Sequence, residues 1–344
     1  MSIRLGFYGA GFIARLHTFS LAECRVEHTV TAVHDPEPER AAALAGRYGA
    51  AVVGEDELLD LVDAVYITTW TSEHPRLARK AAARGKAIFC EKPLAVNAKI
   101  AEQMVAAVEK AGVPNQVGLV LRFLSPFRFV KHLLADPRAG RVLSVVFRDD
   151  QYIPIQGQYG SDWRSDPARA GRGALLEHSI HDLDILEWLL GPVRSLSAQL
   201  REVHGLPRID DVAVAQLEFA SGALASLTSV WHDVLERPSN RRIELFCERL
   251  FVAIEGDLVG PVRFQFTGEA EQCLEGKALR AALCAKGDDV VNPAAAFLSA
   301  VRDGTPAAPD FAAALPAHRL ADAIYASADA GGALIRVGER LRSR

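Results

Sequence analysis

Apolar and polar positions change rhythm about a third of the way along the chain. Up to residue 121, short β-rich apolar runs alternate with longer stretches of helical spacing. Ile3–Tyr8 predicts a buried strand, Phe12–Ser20 a helix, Val30–His34 a strand and Pro36–Tyr48 an alanine-rich helix charged on one face. Ala64–Thr68 follows as a strand, 74–84 as a helix, Ala87–Cys90 as a strand, 97–111 as a helix and Gln116–Leu121 as a closing strand. Strands alternating with helices imply a parallel sheet with right-handed crossovers. From residue 122 strands follow strands: Arg141–Arg148, Val193–Val203, Val212–Phe219, Ala223–Val230, Arg242–Phe246 and Pro261–Phe266, with Ser221-Gly222 as a turn. One helix over 174–190 interrupts them, and Pro293–Asp303 and Ala317–Gly331 read as helices. A run of strands implies a mostly antiparallel sheet. The expected class is therefore α/β, with one domain over 1–121 and a second α/β domain over 122–344 built on a large, open, mostly antiparallel sheet; whether the last helix returns to the first domain is left open.

Composition narrows this picture without redirecting it. A length of 344 residues suits two domains, and 49% hydrophobic with 24% charged residues is a globular mixture. The net charge of −4 and the lack of a basic tract argue against nucleic acid as a partner. The five cysteines are scattered, with no CxxC pair, which argues against a disulfide framework or structural zinc and for a reducing cytoplasm. No signal-peptide pattern or long apolar run is present, so no membrane span is expected.

The strongest local motif is Gly9-Ala10-Gly11-Phe12-Ile13-Ala14, a GxGxxA loop between a predicted strand and a predicted helix. The first glycine permits the turn, the second lets a pyrophosphate approach the backbone, and the small Ala14 lets helix and strand close up. The helix dipole and free amides then face the phosphates. Asp35 ends the second strand, 24 residues after Gly11, where a carboxylate accepts hydrogen bonds from ribose hydroxyls and repels a 2′-phosphate. NAD is favoured over NADP on this ground, with Arg40 a partial offset; Asp35 also suits a helix cap ahead of Pro36.

Cys90-Glu91-Lys92-Pro93 follows a strand of this dinucleotide domain. Together with the glycine loop it resembles the glucose–fructose oxidoreductase/inositol dehydrogenase (Gfo/Idh/MocA) family. Thr69-Trp70-Thr71-Ser72-Glu73-His74 stands where that family has a Thr-Pro-Asn-x-x-His loop, and GALLEHSIHDLD, Gly173–Asp184, resembles its GGxLxDxGxHxxD segment. Gln116-Val117-Gly118, Arg122-Phe123 and Asp162-Trp163-Arg164 fit the same pattern. The resemblance implies a Rossmann domain followed by a domain whose sheet makes a homodimer or homotetramer. It also implies hydride transfer between nicotinamide and a sugar, cyclitol or related alcohol.

On this reading Gly9, Gly11, Phe12, Ile13, Asp35, Thr68, Thr69, Trp70, His74, Glu91 and Lys92 are the cofactor-side residues. Lys92, just past a strand end where open α/β sheets bind ligands, is the candidate proton-handling group, and the family's cis Lys–Pro bond is expected at Pro93. His181 matches the family's acid/base histidine, and Glu177 stands where aspartate is usual; four residues apart on the predicted helix, they would share a face. Trp70 suits either a stacking role beside nicotinamide or a filler of the domain interface, and His74 suits a helix-supporting role better than a cofactor contact. Trp163, Arg164 and Arg122 are candidates for the substrate, with pairing to an acid the alternative for Arg122. His178, His181 and Asp182 invite a metal reading, but HxxH without a third ligand at recognisable spacing is weak, and no metal is expected. The favoured activity is an NAD-dependent dehydrogenase of a sugar, inositol or related polyol. A glycosidase using transient oxidation and a non-catalytic nucleotide-binding protein are the alternatives.

Overall fold

A computed structural model describes residues 2–289 and 292–338. The end of the expected second domain, 339–344, lies outside the described residues. The chain divides into two compact units. One holds residues up to 119 together with 168–171 and 292–315, and the other holds 120–167, 172–289 and 316–338.

In the first unit, β1 (Ile3–Tyr8), α1 (Phe12–Ala22), β2 (His28–His34), α2 (Pro38–Tyr48), β3 (Ala51–Val52), α3 (Glu55–Leu61), β4 (Ala64–Ile67), α4 (His74–Ala83), β5 (Ala87–Cys90), α5 (Ala98–Ala111) and β6 (Asn115–Val117) follow in order. The strands form a parallel sheet of order β3-β2-β1-β4-β5-β6. Strand order reverses at β1/β4, the place where doubly wound sheets bind ligands beyond the strand ends. Strands β4 and β5 are buried along their whole length, as central parallel strands covered on both faces must be. Helix α3 lies close on β1 because residue 6 is glycine: a Cβ there would come within 2.6 Å of the Leu58 side chain. Phe7, Tyr66 and Phe89 stack across β1, β4 and β5 with centroid separations of 5.0 and 4.7 Å. Phe297 of the later helix α11 (Pro293–Asp303) meets Tyr66 and Phe89 edge-on, which is how a segment far downstream becomes part of this unit.

The second unit contains α6 (Ser125–Ala135), β7 (Val142–Tyr152), α8 (Ala174–Glu177), α9 (Ile180–Leu190), β8 (Val193–Arg201), β9 (Val212–Phe219), β10 (Leu224–His232), β11 (Asn240–Cys247), β12 (Leu250–Glu255), β13 (Val262–Phe266), β14 (Gln272–Leu274), α10 (Gly276–Cys284), nearly all of α12 (Leu315–Asp329), and β15 (Ile335–Arg336). The short helix α7 (Pro167–Ala170) precedes α8. The sheet runs β14-β13-β12-β11-β7-β10-β9-β8-β15 and is antiparallel except at β7/β10. Along β9 and β10 burial alternates, so one face carries the core and the other faces outward. Val146, Val214, Leu224 and Phe246 lie on the outward side and are exposed.

The Rossmann unit and the mostly antiparallel second sheet agree with the sequence reading, as does the turn at Ser221-Gly222, where Gly222 has φ 89°. Three expectations need correction. The strand read over Gln116–Leu121 ends at Val117, and a single 3-10 turn, Val120–Phe123, follows Gly118. The segments β3, α3, α6, β12, β14, α10 and β15 went unread; most are one or two turns of helix or two to six residues of strand, too short for periodicity to declare itself. The helix read over 174–190 is broken between Glu177 and Ile180, so Glu177 and His181 do not share a face by helical spacing. Among the described residues no helix is long and apolar enough to cross a membrane.

Candidate active site

The first unit builds a dinucleotide cradle. Gly9 has φ 88°, and a Cβ there would lie 2.7 Å from the Thr68 carbonyl oxygen, so both the turn and the close approach of β1 to β4 require glycine. Gly11 differs. Its φ is −73°, and a Cβ would meet no described protein atom within 4 Å. The fold itself tolerates a side chain at Gly11, which leaves ligand approach as the reason for its absence. Phe12 and Ile13 open α1, whose first turn carries no acidic residue to oppose a phosphate. Asp35 is tied to this loop: its Oδ2 accepts the Ala10 amide at 2.7 Å and its Oδ1 accepts the Glu37 amide at 2.8 Å. It thus supports the entry to α2, whose N-cap is Glu37, and a carboxylate keeps lone pairs for ribose hydroxyls beyond these two bonds. The residues present fit a dinucleotide.

Strand β5 delivers Glu91-Lys92-Pro93, and the Lys92–Pro93 bond is cis, as expected. Lys92 is half-buried. Glu91 is buried, with His17 Nε2 at 2.6 Å from its Oε1 and the Lys92 amide donating to its Oε2 at 3.2 Å. Burial pushes the Glu91 carboxyl up, but the His17 hydrogen bond, the His17 charge and Lys92 outweigh it and hold the group below its ordinary range. His17 sits on α1, which begins at the glycine loop, and its ring lies edge-on to Phe89 at 4.7 Å. The pair therefore joins the phosphate-side helix to the backbone of Lys92. Gly118 makes room for it, since a Cβ there would be 2.8 Å from Glu91 Oε1. Glu91, expected among the cofactor residues, braces the Lys92 backbone.

The loop after β4 is held the same way. Thr68 Oγ1 donates to the carbonyls of Tyr8 and Gly9 at 3.0 and 2.8 Å, supporting the glycine turn from below, and Thr69 Oγ1 donates to the Trp70 carbonyl at 3.3 Å. His74 is buried, its Nδ1 2.8 Å from the Pro93 carbonyl oxygen and its Nε2 3.2 Å from that of Thr69. His74 thereby links the Trp70 loop to the lysine turn. The Arg169 guanidinium lies 4.3 Å over the Trp70 ring.

The second unit holds the other predicted group. Glu177 ends α8 and is buried. The start of α8 is pinned by Asp210, which accepts the Gly173 and Leu175 amides at 2.8 and 2.9 Å and the Tyr325 hydroxyl at 2.9 Å. Arg164 Nε is 3.4 Å from Glu177 Oε2, and its guanidinium lies 4.3 Å over the Trp163 ring. Trp163, Arg164 and Glu177 are thus brought together. Arg122 donates to both carboxylate oxygens of Asp184, at 2.8 and 2.5 Å, the acid-pairing alternative for that residue. His181 is largely buried near the start of α9. Beneath this segment Arg241 Nε donates to Asp182 Oδ1 at 2.8 Å and its Nη2 lies 3.3 Å from Asp149 Oδ2; Asp257 also binds Arg241.

His17, Asp149, Asp210 and Arg241 went unread in the sequence. The only available signal was an unexplained histidine inside the helix that follows the glycine loop; the other three take partners 16 to 115 residues away, beyond any local pattern.

Comparison with known proteins follows the same division. Residues 3–119 match the oxidoreductase family with NAD-binding Rossmann fold, and residues 127–251 match the GFO/IDH/MocA C-terminal domain. The chain is 30% identical over 230 residues to a 1,5-anhydro-D-fructose reductase of Ensifer adhaerens, covering 64% of this chain and 67% of that one. It is 32% identical over 195 residues to an inositol 2-dehydrogenase of Rhizobium meliloti (strain 1021), covering 56% of each. The matched region thus spans about two thirds or less of those two relatives. A levoglucosan dehydrogenase solved in complex with NADH shares the fold with a TM-score of 0.86 at 22% identity, covering 98% of this chain and all of that one. The glycine loop, the braced Lys92 turn and the two matched domains together make the chain a member of the Gfo/Idh/MocA family of NAD-binding oxidoreductases.

Proposed function

We propose that this protein is an NAD-dependent dehydrogenase that moves hydride between nicotinamide and a secondary alcohol or ketone of a neutral polyol, a sugar, an anhydro sugar or an inositol. The observation that carries the reading is Lys92, presented at the C-terminal end of β5 on a turn whose backbone is fixed by the buried His17–Glu91 pair. Gly9, Gly11, Phe12, Ile13 and Asp35 hold the dinucleotide, and Thr68, Thr69 and Trp70 border its nicotinamide end. NAD supplies the hydride acceptor. With a dinucleotide bound, the single hydroxyl proton would pass to one of Lys92 and His181 while the other holds the oxygen, and Glu177, kept in place by Arg164, would orient the reacting group. The names of the matched relatives, an inositol 2-dehydrogenase and a 1,5-anhydro-D-fructose reductase, agree with a polyhydroxylated substrate.

An NADH absorbance screen over cyclitols, aldoses and 1,5-anhydro sugars tests this. Turnover with NAD is expected to exceed that with NADP by about tenfold or more, and Asp35→Ser to narrow the gap. Sugar release from a chromogenic glycoside with no net NADH would replace the dehydrogenase reading with a glycosidase. Cofactor binding with no turnover on any polyol would reduce it to nucleotide binding.

The outward face of the second sheet supports self-association. Val146, Val214, Leu224 and Phe246 are 39–56% exposed there, on neighbouring strands of one sheet face. Sedimentation at micromolar concentration is expected to give a dimer or tetramer, and Phe246→Lys with Val146→Lys to give the monomer; a monomeric wild type would remove this part of the proposal.

A further inference from the structure

The most unusual chemistry outside the residues just assigned lies under the turn between α8 and α9. Asp149 on β7 and Asp182 on α9 are both fully buried, and both are bound by the single buried guanidinium of Arg241 on β11. Asp257, which follows β12 and is partly exposed, binds the same arginine. His178 Nε2 is 2.8 Å from Asp149 Oδ2 and 3.0 Å from Arg241 Nη2. Ser179 Oγ donates to Ser229 Oγ of β10 at 2.6 Å and lies 3.3 Å from Asp149 Oδ2. The next residue, Asp150, is in a separate group with Arg148, Arg237 and His232.

One arginine cannot neutralise this set. Asp257 is screened by solvent, but Asp149 and Asp182 are not, and an uncompensated buried charge costs several kcal/mol. Charge balance therefore requires one further proton, on a carboxyl or on His178. Asp149 Oδ1 and Asp182 Oδ2 are buried without a hydrogen-bond partner among the described residues, so each offers a place for such a proton. His178 touches Asp149 Oδ2 and directly follows Glu177, in the break that separates Glu177 from His181.

We propose that Asp149, Asp182 and Arg241 form a buried network that holds one exchangeable proton shared with His178, and that the network acts as a positioning device for the Glu177–His181 segment. It rests on the dehydrogenase reading only for the statement that this segment serves catalysis. With the proton the buried set is neutral and the break between α8 and α9 is held by hydrogen bonds alone. Without it, a negative charge lies within one helical turn of His181. Asp149, Asp182, Arg241 and His178 are positioning residues, acting through His181 and Glu177.

Carboxyl ¹³C NMR of the full chain, with aspartate labelled and neither cofactor nor substrate added, tests the network. One aspartate is expected to titrate near pH 7, because burial and then the Asp149 charge raise Asp182 to about 7 against the pull of Arg241. Removing the neighbouring negative charge, with Asp149→Asn, is expected to lower that midpoint. His178→Gln removes a positive charge that favours ionisation and is expected to raise it, each by about half a pH unit or more. His178 is partly exposed, so its variant keeps the test decisive if Asp149→Asn fails to fold. No aspartate titrating above the usual carboxylate range, or a midpoint unmoved by His178→Gln, overturns the shared proton. On a polyol that turns over, the neutral-range inflection of kcat against pH is expected to move in the same directions. A fall in kcat with the inflection unmoved would leave these residues merely structural and overturn the positioning role. Failure of every polyol counts against the dehydrogenase reading alone, because the carboxyl titration is read without substrate.

Discussion

Lys92→Ala is expected to lower kcat for polyol oxidation by about a hundred- to ten-thousandfold, the range of a lost proton-handling group. NADH binding, read by fluorescence, should change only a few-fold, because the pyrophosphate cradle at Gly9–Ile13 and Asp35 is built by β1, α1 and β2 and does not need the lysine side chain. That split separates a chemical role from a binding one. Lys92→Arg sharpens it: arginine keeps the positive charge but stays protonated, so a charge-only role would be rescued and a proton-handling role would not. Replacing Glu91 would be a poor substitute for this experiment, since it leaves His17 without its buried partner and disturbs the fold along with the site. Unchanged turnover in Lys92→Ala would remove the lysine from the mechanism.

The largest loss of stability is expected at Arg241. Arg241→Ala leaves Asp149 and Asp182 buried without their cation, and breaking such a group typically costs about 3–5 kcal/mol. The loss should depend on pH, with a definite sign. Asp182 has an ordinary carboxyl value of 3.8 in the unfolded chain and one raised to about 7 by burial and Asp149 in the folded protein. A carboxyl raised on folding contributes stability that is fully present below about pH 4 and is lost as pH climbs toward 7, because the unfolded chain gives up its proton first. Without Arg241 the larger of the two charges that oppose that rise is gone and only His178 remains, so the folded protein must stay protonated to a higher pH still. Urea unfolding of wild type and variant at about pH 5.5 and about pH 8 should show the greater difference at the higher pH. A loss below about 1 kcal/mol that is the same at both would mean the buried charges are compensated elsewhere.

The two experiments probe features that were unequally visible in the amino-acid sequence. The glycine loop, Asp35 and Lys92 were legible because each is defined by short-range order: a strand, a turn of fixed length and a helix place them within a few residues of backbone whose geometry is local. The same locality explains why β1, β5, β9 and α11 were read within a residue or two of their ends. The error at Glu177 and His181 has the opposite origin. LLEHSIHDLDILEWLL keeps helical spacing throughout, but the chain breaks at His178 and Ser179, where both side chains are drawn to Asp149 on a strand some 30 residues earlier. Long-range hydrogen bonds there outcompete a local preference worth only tenths of a kcal/mol per residue.

By itself, then, the sequence determined a Rossmann unit with an NAD-type cradle, a lysine at a strand end and a second, largely antiparallel sheet, since these follow from periodicity, turn chemistry and spacing. The tertiary structure decided which side chains support them: His17 against Glu91 across 74 residues, Arg241 against Asp182 across 59, Arg122 against Asp184 across 62. Buried charges must find partners wherever the fold brings them, and no local pattern records a partner that only folding supplies.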